Sequence, residues 1–389
     1  MLTVVGTRPE AIKMAPVMHA LHGDPAFESM LCLTAQHREL LDEVLELFDL
    51  TADFDLGLMR RAQRPVDVLS AVVAGVSDVI DQVQPDWVLV QGDTTTVLGA
   101  ALAATYQGCR VGHVEAGLRT RDKRQPFPEE INRCATTALA DLHFAPTAAA
   151  REHLLAEAVP DDVVHVTGNT VIDALYYALD EPPSARACAL LERVGDRQLV
   201  LLTAHRRENF GAPFASVLGA IIELARRRQD VAFVYPVHPN PAVSGPAHAA
   251  LGGLDNVVLT EPLDYFTMAH LVASSTLVIT DSGGLQEEAP SVGKPVLVLR
   301  DVTERPEAVD AGVAKLVGTD RARIVRETMR LLDDPVAYAE MAQSVSPYGD
   351  GLAARRIVDS LAGREVKPFF PITSEPQGSR FAGEQAGSR

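Results

Sequence analysis

The sequence predicts an α/β protein of two doubly wound, Rossmann-like domains with a cleft between them. Three observations carry that prediction. The 389-residue chain is too long for one ordinary core. Short β-rich runs alternate with longer helical patterns along it. The alternation pauses near Gly168 and begins afresh near Gln198.

In the first half the expected strands are Leu2–Val5, Met30–Thr34, Trp87–Gln91, Val111–Val114, Leu142–Ala145 and Val163–Thr167. Each is followed by a helix-length segment, the pattern of parallel βα units. Thr167-Gly-Asn169 and Pro182-Pro183 then interrupt the rhythm. It resumes with Gln198–Thr203, Val231–Pro236, Val257–Thr260, Leu277–Thr280, Val296–Leu299 and Lys315–Val317. The expected division is a first domain at 1–168 and a second at 169–345, with a helix at about 346–362 crossing back onto the first. Residues 363–389 are polar and aperiodic and are expected to form a disordered tail.

With 47% hydrophobic and 22% charged residues and no run of eighteen apolar positions, the chain reads as globular, without a membrane span. Met1 leads straight into a strand rather than a leader, so a cytoplasmic location is expected. The formal charge of −17 disfavours nucleic acid as a partner, although a small anion can still bind in a locally basic pocket. The four cysteines, at 32, 109, 134 and 188, lack metal-ligand spacing. Neither a P-loop nor a Gly-x-Gly-x-x-Gly fingerprint is present, and neither a metal nor a cofactor is expected.

In open α/β sheets ligands bind beyond the carboxyl ends of the strands. Here those positions hold Gly6-Thr-Arg-Pro-Glu10, Asp93, His113 and Glu115 in the first half. In the second they hold His205-Arg-Arg-Glu208, His238, Asp281-Ser-Gly-Gly284 and Arg300. Ser282, Gly283 and Gly284 stand at a strand-to-helix turn, where backbone N–H groups and the helix dipole can hold phosphate, or where Ser282 merely caps the helix. Arg8 either forks onto phosphate, with Lys13 adding charge one turn on, or is a surface arginine beside a capping Glu10. Asp93 is an acid/base candidate or a helix cap. Glu115 follows an apolar run and has to be paired, catalytic or turned to water. Glu129 and Glu130 either act chemically or simply open a helix near Ile131. His205 suits a phosphate contact or proton donation, whereas His238 lies in a proline-rich loop and reads as a rigid-loop residue. A diphosphate anchor on one lobe and acidic groups on the other suit a nucleotide sugar.

These motifs resemble those of the bacterial non-hydrolysing UDP-N-acetylglucosamine 2-epimerases, from Met1 to about Leu361. The resemblance rests on Gly6-Thr-Arg-Pro-Glu-Ala-Ile-Lys-Met-Ala-Pro16, Thr34-Ala-Gln-His-Arg38, Gly92-Asp-Thr-Thr-Thr96, His113-Val-Glu-Ala-Gly-Leu-Arg-Thr120 and Pro128-Glu-Glu130. It continues through Thr167-Gly-Asn-Thr-Val-Ile-Asp-Ala-Leu175, Thr280-Asp-Ser-Gly-Gly284, Gln286-Glu-Glu-Ala-Pro290 and Thr303-Glu-Arg-Pro-Glu307. It implies a GT-B-like fold, a homodimer, a role in cell-surface polysaccharide synthesis, and UDP-GlcNAc, UDP-ManNAc and UDP as ligands. It further implies Asp93, Glu115 and Glu129 as acid/base groups, with His205, Arg8 and Lys13 around the diphosphate. Ser282, Gly283 and Gly284 would hold phosphate oxygens, Glu288 the ribose, Arg305 the nucleotide, and backbone near Leu263 and Met268 the uracil. Some relatives bind a second, activating UDP-GlcNAc, and the matching positions are Gln36, Glu39, Glu130, Arg206 or Arg207, and His238. Glu39 stands where regulated relatives carry glutamine, a charge that would repel a diphosphate. The competing readings are a GT-B glycosyltransferase, a hydrolysing epimerase, an epimerase of a diacetamido uronic acid sugar and a non-enzymatic nucleotide-sugar sensor.

Overall fold

A computed structural model describes residues 1–34, 38–58, 63–343 and 346–371, without the side chains of 38–40. The first sheet contains β1 (Leu2–Val5), β2 (Met30–Leu33), β3 (Phe54–Asp55), β4 (Trp87–Gln91), β5 (Arg110–Val114), β6 (Leu142–Ala145) and β7 (Val164–Val166). The second contains β8 (Gln198–Thr203), β9 (Val231–Pro236), β10 (Val257–Thr260), β11 (Leu277–Thr280), β12 (Val296–Val298) and β13 (Ala314–Leu316). The strand orders are β3-β2-β1-β4-β5-β6-β7 and β10-β9-β8-β11-β12-β13, and the paired strands run parallel. Both are doubly wound Rossmann orders, with helices covering the sheets. The fold class expected from the sequence is therefore present.

Parallel strands covered on both faces have to be apolar along their length, and here they are: β4 is buried throughout and β8 from Leu199 to Thr203. The first sheet packs Val88, Val90 and Val111 against Val72, Val76 and Val97 on one face, and Leu89 and Val114 toward Met14 and Met18 on the other. In the second, Val200, Leu202 and Phe233 meet Ile221 and Leu224.

The chain crosses between the lobes twice. The helix Thr170–Asp180 gives Ala174 and Leu175 to the first core and Val171 and Ile172 to the second. The helix Ala353–Leu361 returns and packs Ala354, Ile357 and Val358 into the first core. Its amino end is held by Asp173, which accepts from Ala353 N at 3.2 Å and Ala354 N at 2.8 Å.

Two details differ from expectation. β3 was absent from the predicted strands because a two-residue edge strand leaves no periodic signal. Within 363–389, expected to form a disordered tail, the stretch to Pro371 makes contact with β7. Phe369 is buried there and its N–H donates to Val166 O at 2.8 Å, so one aromatic side chain anchors a polar segment over an open sheet edge. Residues 372–389 lie outside the described residues.

Candidate active site

The strand order reverses between β1 and β4 in one sheet and between β8 and β11 in the other, and in doubly wound sheets ligands bind beyond the carboxyl ends at such a reversal. After β1 a capping box fixes the turn: Thr7 Oγ1 accepts from Glu10 N at 3.4 Å, and Glu10 Oε2 accepts from Gly6 N at 2.6 Å and Thr7 N at 3.1 Å. Burial pushes the Glu10 carboxyl up to about 7. Arg8 opens the following helix and donates to Leu263 O of the other lobe at 3.2 Å.

Glu115, just past β5, has φ 63°, a left-handed backbone uncommon outside glycine. Its carboxylate receives Lys13 Nζ at 2.6 Å, Asn169 Nδ2 at 2.9 Å and the Gln91 amide. Burial alone would raise its pKa, but Lys13, Arg305 and Asn169 outweigh burial and hold it below the ordinary range. Asp93 pairs with Arg133 at 2.7 Å. Here burial prevails over Arg133, and the Asp93 pKa is raised. The cap of the next helix is Thr94, which accepts from Val97 N at 3.4 Å, so the Asp93 carboxylate is not used in capping.

Glu129 opens the helix Glu129–Thr137, and its Oε2 is buried without a hydrogen-bond partner. Its neighbour Glu130 accepts from Thr120 N at 3.0 Å and Arg121 N at 2.7 Å and lies 3.5 Å from Arg133. Both of its oxygens are thereby engaged within the first lobe.

On the second lobe Ser282 caps the helix Gly283–Ser291 without a side-chain bond to it. A methyl group on Gly283 would lie 3.3 Å from Arg305 Cζ and 3.5 Å from Arg206 Nη2, so two guanidiniums flank the helix start. The helix dipole and these two positive side chains point the same sign of field at this turn. A Cβ on Gly284 would lie 3.7 Å from Glu288 Oε2. Arg305 is held by Glu287 at 2.8 Å, and Arg206 by Asp281 O at 3.1 Å and Glu304 at 3.3 Å. Burial would raise Glu304, but Arg305 and Arg300 outweigh it and bring the carboxyl down to about 2.

Asp281, fully buried, accepts from His205 N and Arg206 N, each at 2.8 Å, and from Asn209 Nδ2 at 3.2 Å. His205 Nδ1 lies 3.3 Å from its Oδ1, and burial lowers the imidazole pKa despite that carboxylate. The His205 and His238 rings stack, with centroids 5.5 Å apart. His238 Nδ1 accepts from Asn240 N at 3.1 Å, which holds the ring in its loop. Arg207 is exposed.

Glu288 accepts from Tyr265 OH at 2.9 Å, and burial raises it to about 7. The Leu263 carbonyl is occupied by Arg8, and Met268 N donates to Asp264 O at 3.1 Å within its helix. Gln36 and the Glu39 side chain lie outside the described residues. Among the described residues no group of three or more His, Cys, Asp or Glu side chains forms a metal site, and no helix is long and apolar enough to cross a membrane. An open cavity of about 540 Å³ lies at the opposite, amino ends of the strands, beside Gln84, Asp86 and Arg110, away from these residues.

Expected residues from both lobes are thus brought to the facing strand ends. Sequence reasoning placed Asp281 beyond a strand end but missed the partners Gln91, Arg133, Asn169 and Glu287. Arg133 was within reach, because it lies one helical turn beyond Glu129. Asn169 and Glu287 are joined by contacts that no local pattern encodes.

Two parallel-sheet domains with the site between their carboxyl ends define the GT-B-like class. The sequence model of the UDP-N-acetylglucosamine 2-epimerase family matches residues 19–362. A UDP-N-acetylglucosamine 2-epimerase of Yersinia pestis is 51% identical over 372 residues, 94% of this chain and 99% of that one. One from Bacillus subtilis is 50% identical over 360 residues, 92% of this chain and 94% of that one. The crystal structure of the Neisseria meningitidis UDP-GlcNAc 2-epimerase bound to UDP-GlcNAc superposes with a TM-score of 0.86 at 46% identity, covering 93% of this chain and 99% of that one. The chain belongs to the UDP-N-acetylglucosamine 2-epimerase family and is an isomerase.

Proposed function

We propose that the protein interconverts UDP-N-acetylglucosamine and UDP-N-acetylmannosamine by eliminating UDP and adding it back, without hydrolysis. The C2 hydrogen of the sugar is not α to a carbonyl, so simple deprotonation has no stabilised carbanion. In the elimination a base takes the C2 proton, the C–H electrons form the C1=C2 bond, and the C1–O electrons leave on UDP. The intermediate is 2-acetamidoglucal. Return of a proton to the other face of C2, with re-formation of C1–O, gives the epimer.

The observation that carries this reading is a buried Glu115 paired with Lys13 and close to Asp93, which also has Glu129 near it, with a helix start flanked by Arg206 and Arg305 on the other lobe. Carboxylates at C2 and positive charge at the departing diphosphate are what the elimination requires. In this reading Asp93, Glu115 and Glu129 share proton removal and return, and His205 and Arg8 stabilise the diphosphate. Ser282, Gly283 and Gly284 take phosphate oxygens, and Arg305 turns from Glu287 toward the nucleotide. Glu288 takes the ribose hydroxyls, and backbone near Leu263 and Met268 takes the uracil. Lys13 keeps Glu115 ionised and lends charge to the same field. The Neisseria relative was solved with UDP-GlcNAc and a Methanocaldococcus jannaschii one, 30% identical, with UDP-GlcNAc and UDP, which supports this choice of ligand.

The test is incubation with UDP-GlcNAc in deuterated water, followed by NMR at C2. Deuterium at C2, UDP-ManNAc as product and no free ManNAc are expected. Glu115→Gln is expected to lose at least about 100-fold in turnover while still binding UDP. UDP binding without exchange or product would instead favour a glycosyltransferase or a sensor.

A further inference from the structure

A chain of polar contacts runs from Lys13 on the first lobe to Arg305 on the second, and it passes through the side-chain amide of Asn169. Lys13 Nζ and Asn169 Nδ2 both donate to Glu115 Oε1, at 2.6 and 2.9 Å. The same Nδ2 donates to Glu287 Oε2 at 3.0 Å, and Glu287 Oε1 accepts from Arg305 Nε at 2.8 Å. Asn169 Oδ1 accepts from Val171 N at 3.1 Å, and Asn169 N donates to Tyr348 O at 2.6 Å. Donors and acceptor are therefore all committed, and the residue is only 2% exposed. Water cannot readily replace these bonds.

The chemistry of this position is restrictive. Two carboxylates within reach of one nitrogen repel each other, and burial together with the neighbouring Glu115 raises Glu287 even against Arg305. An amide resolves this because its NH2 carries two hydrogens, one for each carboxylate, while its oxygen still caps the helix. Aspartate would add a third acceptor, and serine has one hydrogen.

We propose that Asn169 is a positioning residue for proton transfer at C2, holding the Glu115 carboxylate in place against Glu287 of the second lobe. The inference rests on Glu115 acting as an acid/base group. It is tested with Asn169→Ala and Asn169→Ser in the full chain, beside Glu115→Gln, by kcat and KM across pH and by calorimetry with UDP. Serine retains an oxygen for the helix cap, so it decides the matter if the alanine variant does not fold.

The expected result is a fall in kcat of about 10- to 100-fold, with KM and UDP affinity within about threefold of the parent. The acid limb of the kcat profile should move up by about half a unit or more, because the Asn169 N–H favours the ionised Glu115. A merely structural role would lower the folded fraction without moving that limb. If Glu115→Gln is inactive while the serine variant keeps the parental kcat and limb, this proposal alone is overturned. If Glu115→Gln retains turnover, the acid/base reading fails and this proposal fails with it.

Discussion

Glu129 and Glu130 are adjacent in sequence and do different work. Glu130 holds the amides of Thr120 and Arg121, whereas Glu129 leaves a buried oxygen unbonded. Replacing Glu130 by glutamine sets an NH2 against one of those N–H groups and should cost about 1–3 kcal/mol, read as a lower denaturation midpoint. Glu129→Gln should leave that midpoint unchanged or higher while lowering turnover by about 100-fold or more. Equal stability losses in the two variants would contradict the division. Sequence alone treated the pair as either chemical groups or a helix opening, because both sit in the first turn and only the path of residues 117–121 separates them. Glu115 was more legible, since a carboxylate after an apolar run needs a partner. Lys13, 102 residues earlier, suits the diphosphate by its position one turn into a helix, and no local pattern shows that its Nζ also pairs with Glu115 at 2.6 Å.

The strands were legible because buried parallel strands are apolar: β1, β4, β6, β8, β9, β10 and β11 have the expected bounds, and β2, β5, β7, β12 and β13 differ by no more than one residue at either end. Turns were less legible. Gly6 reads from sequence as permission for a tight turn, yet its φ is not in the left-handed range, and the reason for glycine is space. A Cβ there would lie 2.2 Å from Thr96 Oγ1 and 2.6 Å from Thr34 Oγ1, two hydroxyls bonded to each other at 3.0 Å. Gly6→Ala should push the β1 turn off the helix Thr95–Tyr106, destabilise by about 1–3 kcal/mol, and displace Arg8 from the cleft. Melting and UDP calorimetry read the two effects, and an alanine variant with parental values for both would show that the turn yields freely. Likewise Asp93 and Thr94 are both good caps by residue type, and only the structure shows Thr94 capping.

At the scale of the whole molecule the lobes are joined by the helices Thr170–Asp180 and Ala353–Leu361, and Asp173 is where the two meet. Its carboxyl is buried, which raises it to about 7 against an ordinary value of 3.8, although the Ala353 and Ala354 amides favour the charge and Asp350 opposes it. Below the ordinary value both folded and unfolded chains hold this proton, so the group adds no pH dependence. Between there and about 7 the unfolded chain has released the proton and the folded chain has not, so stability falls as pH rises and then levels off. Asp173→Asn removes that slope and also loses acceptor capacity at the helix end, a loss that does not vary with pH. Relative to the parent, the variant should therefore gain about 2–4 kcal/mol between pH 4 and 7 and nothing further above about 7.5. Chemical denaturation of both proteins across that range measures the difference. A constant difference would mean that the Asp173 carboxyl is already ionised at acid pH, with the two helix amides outweighing burial.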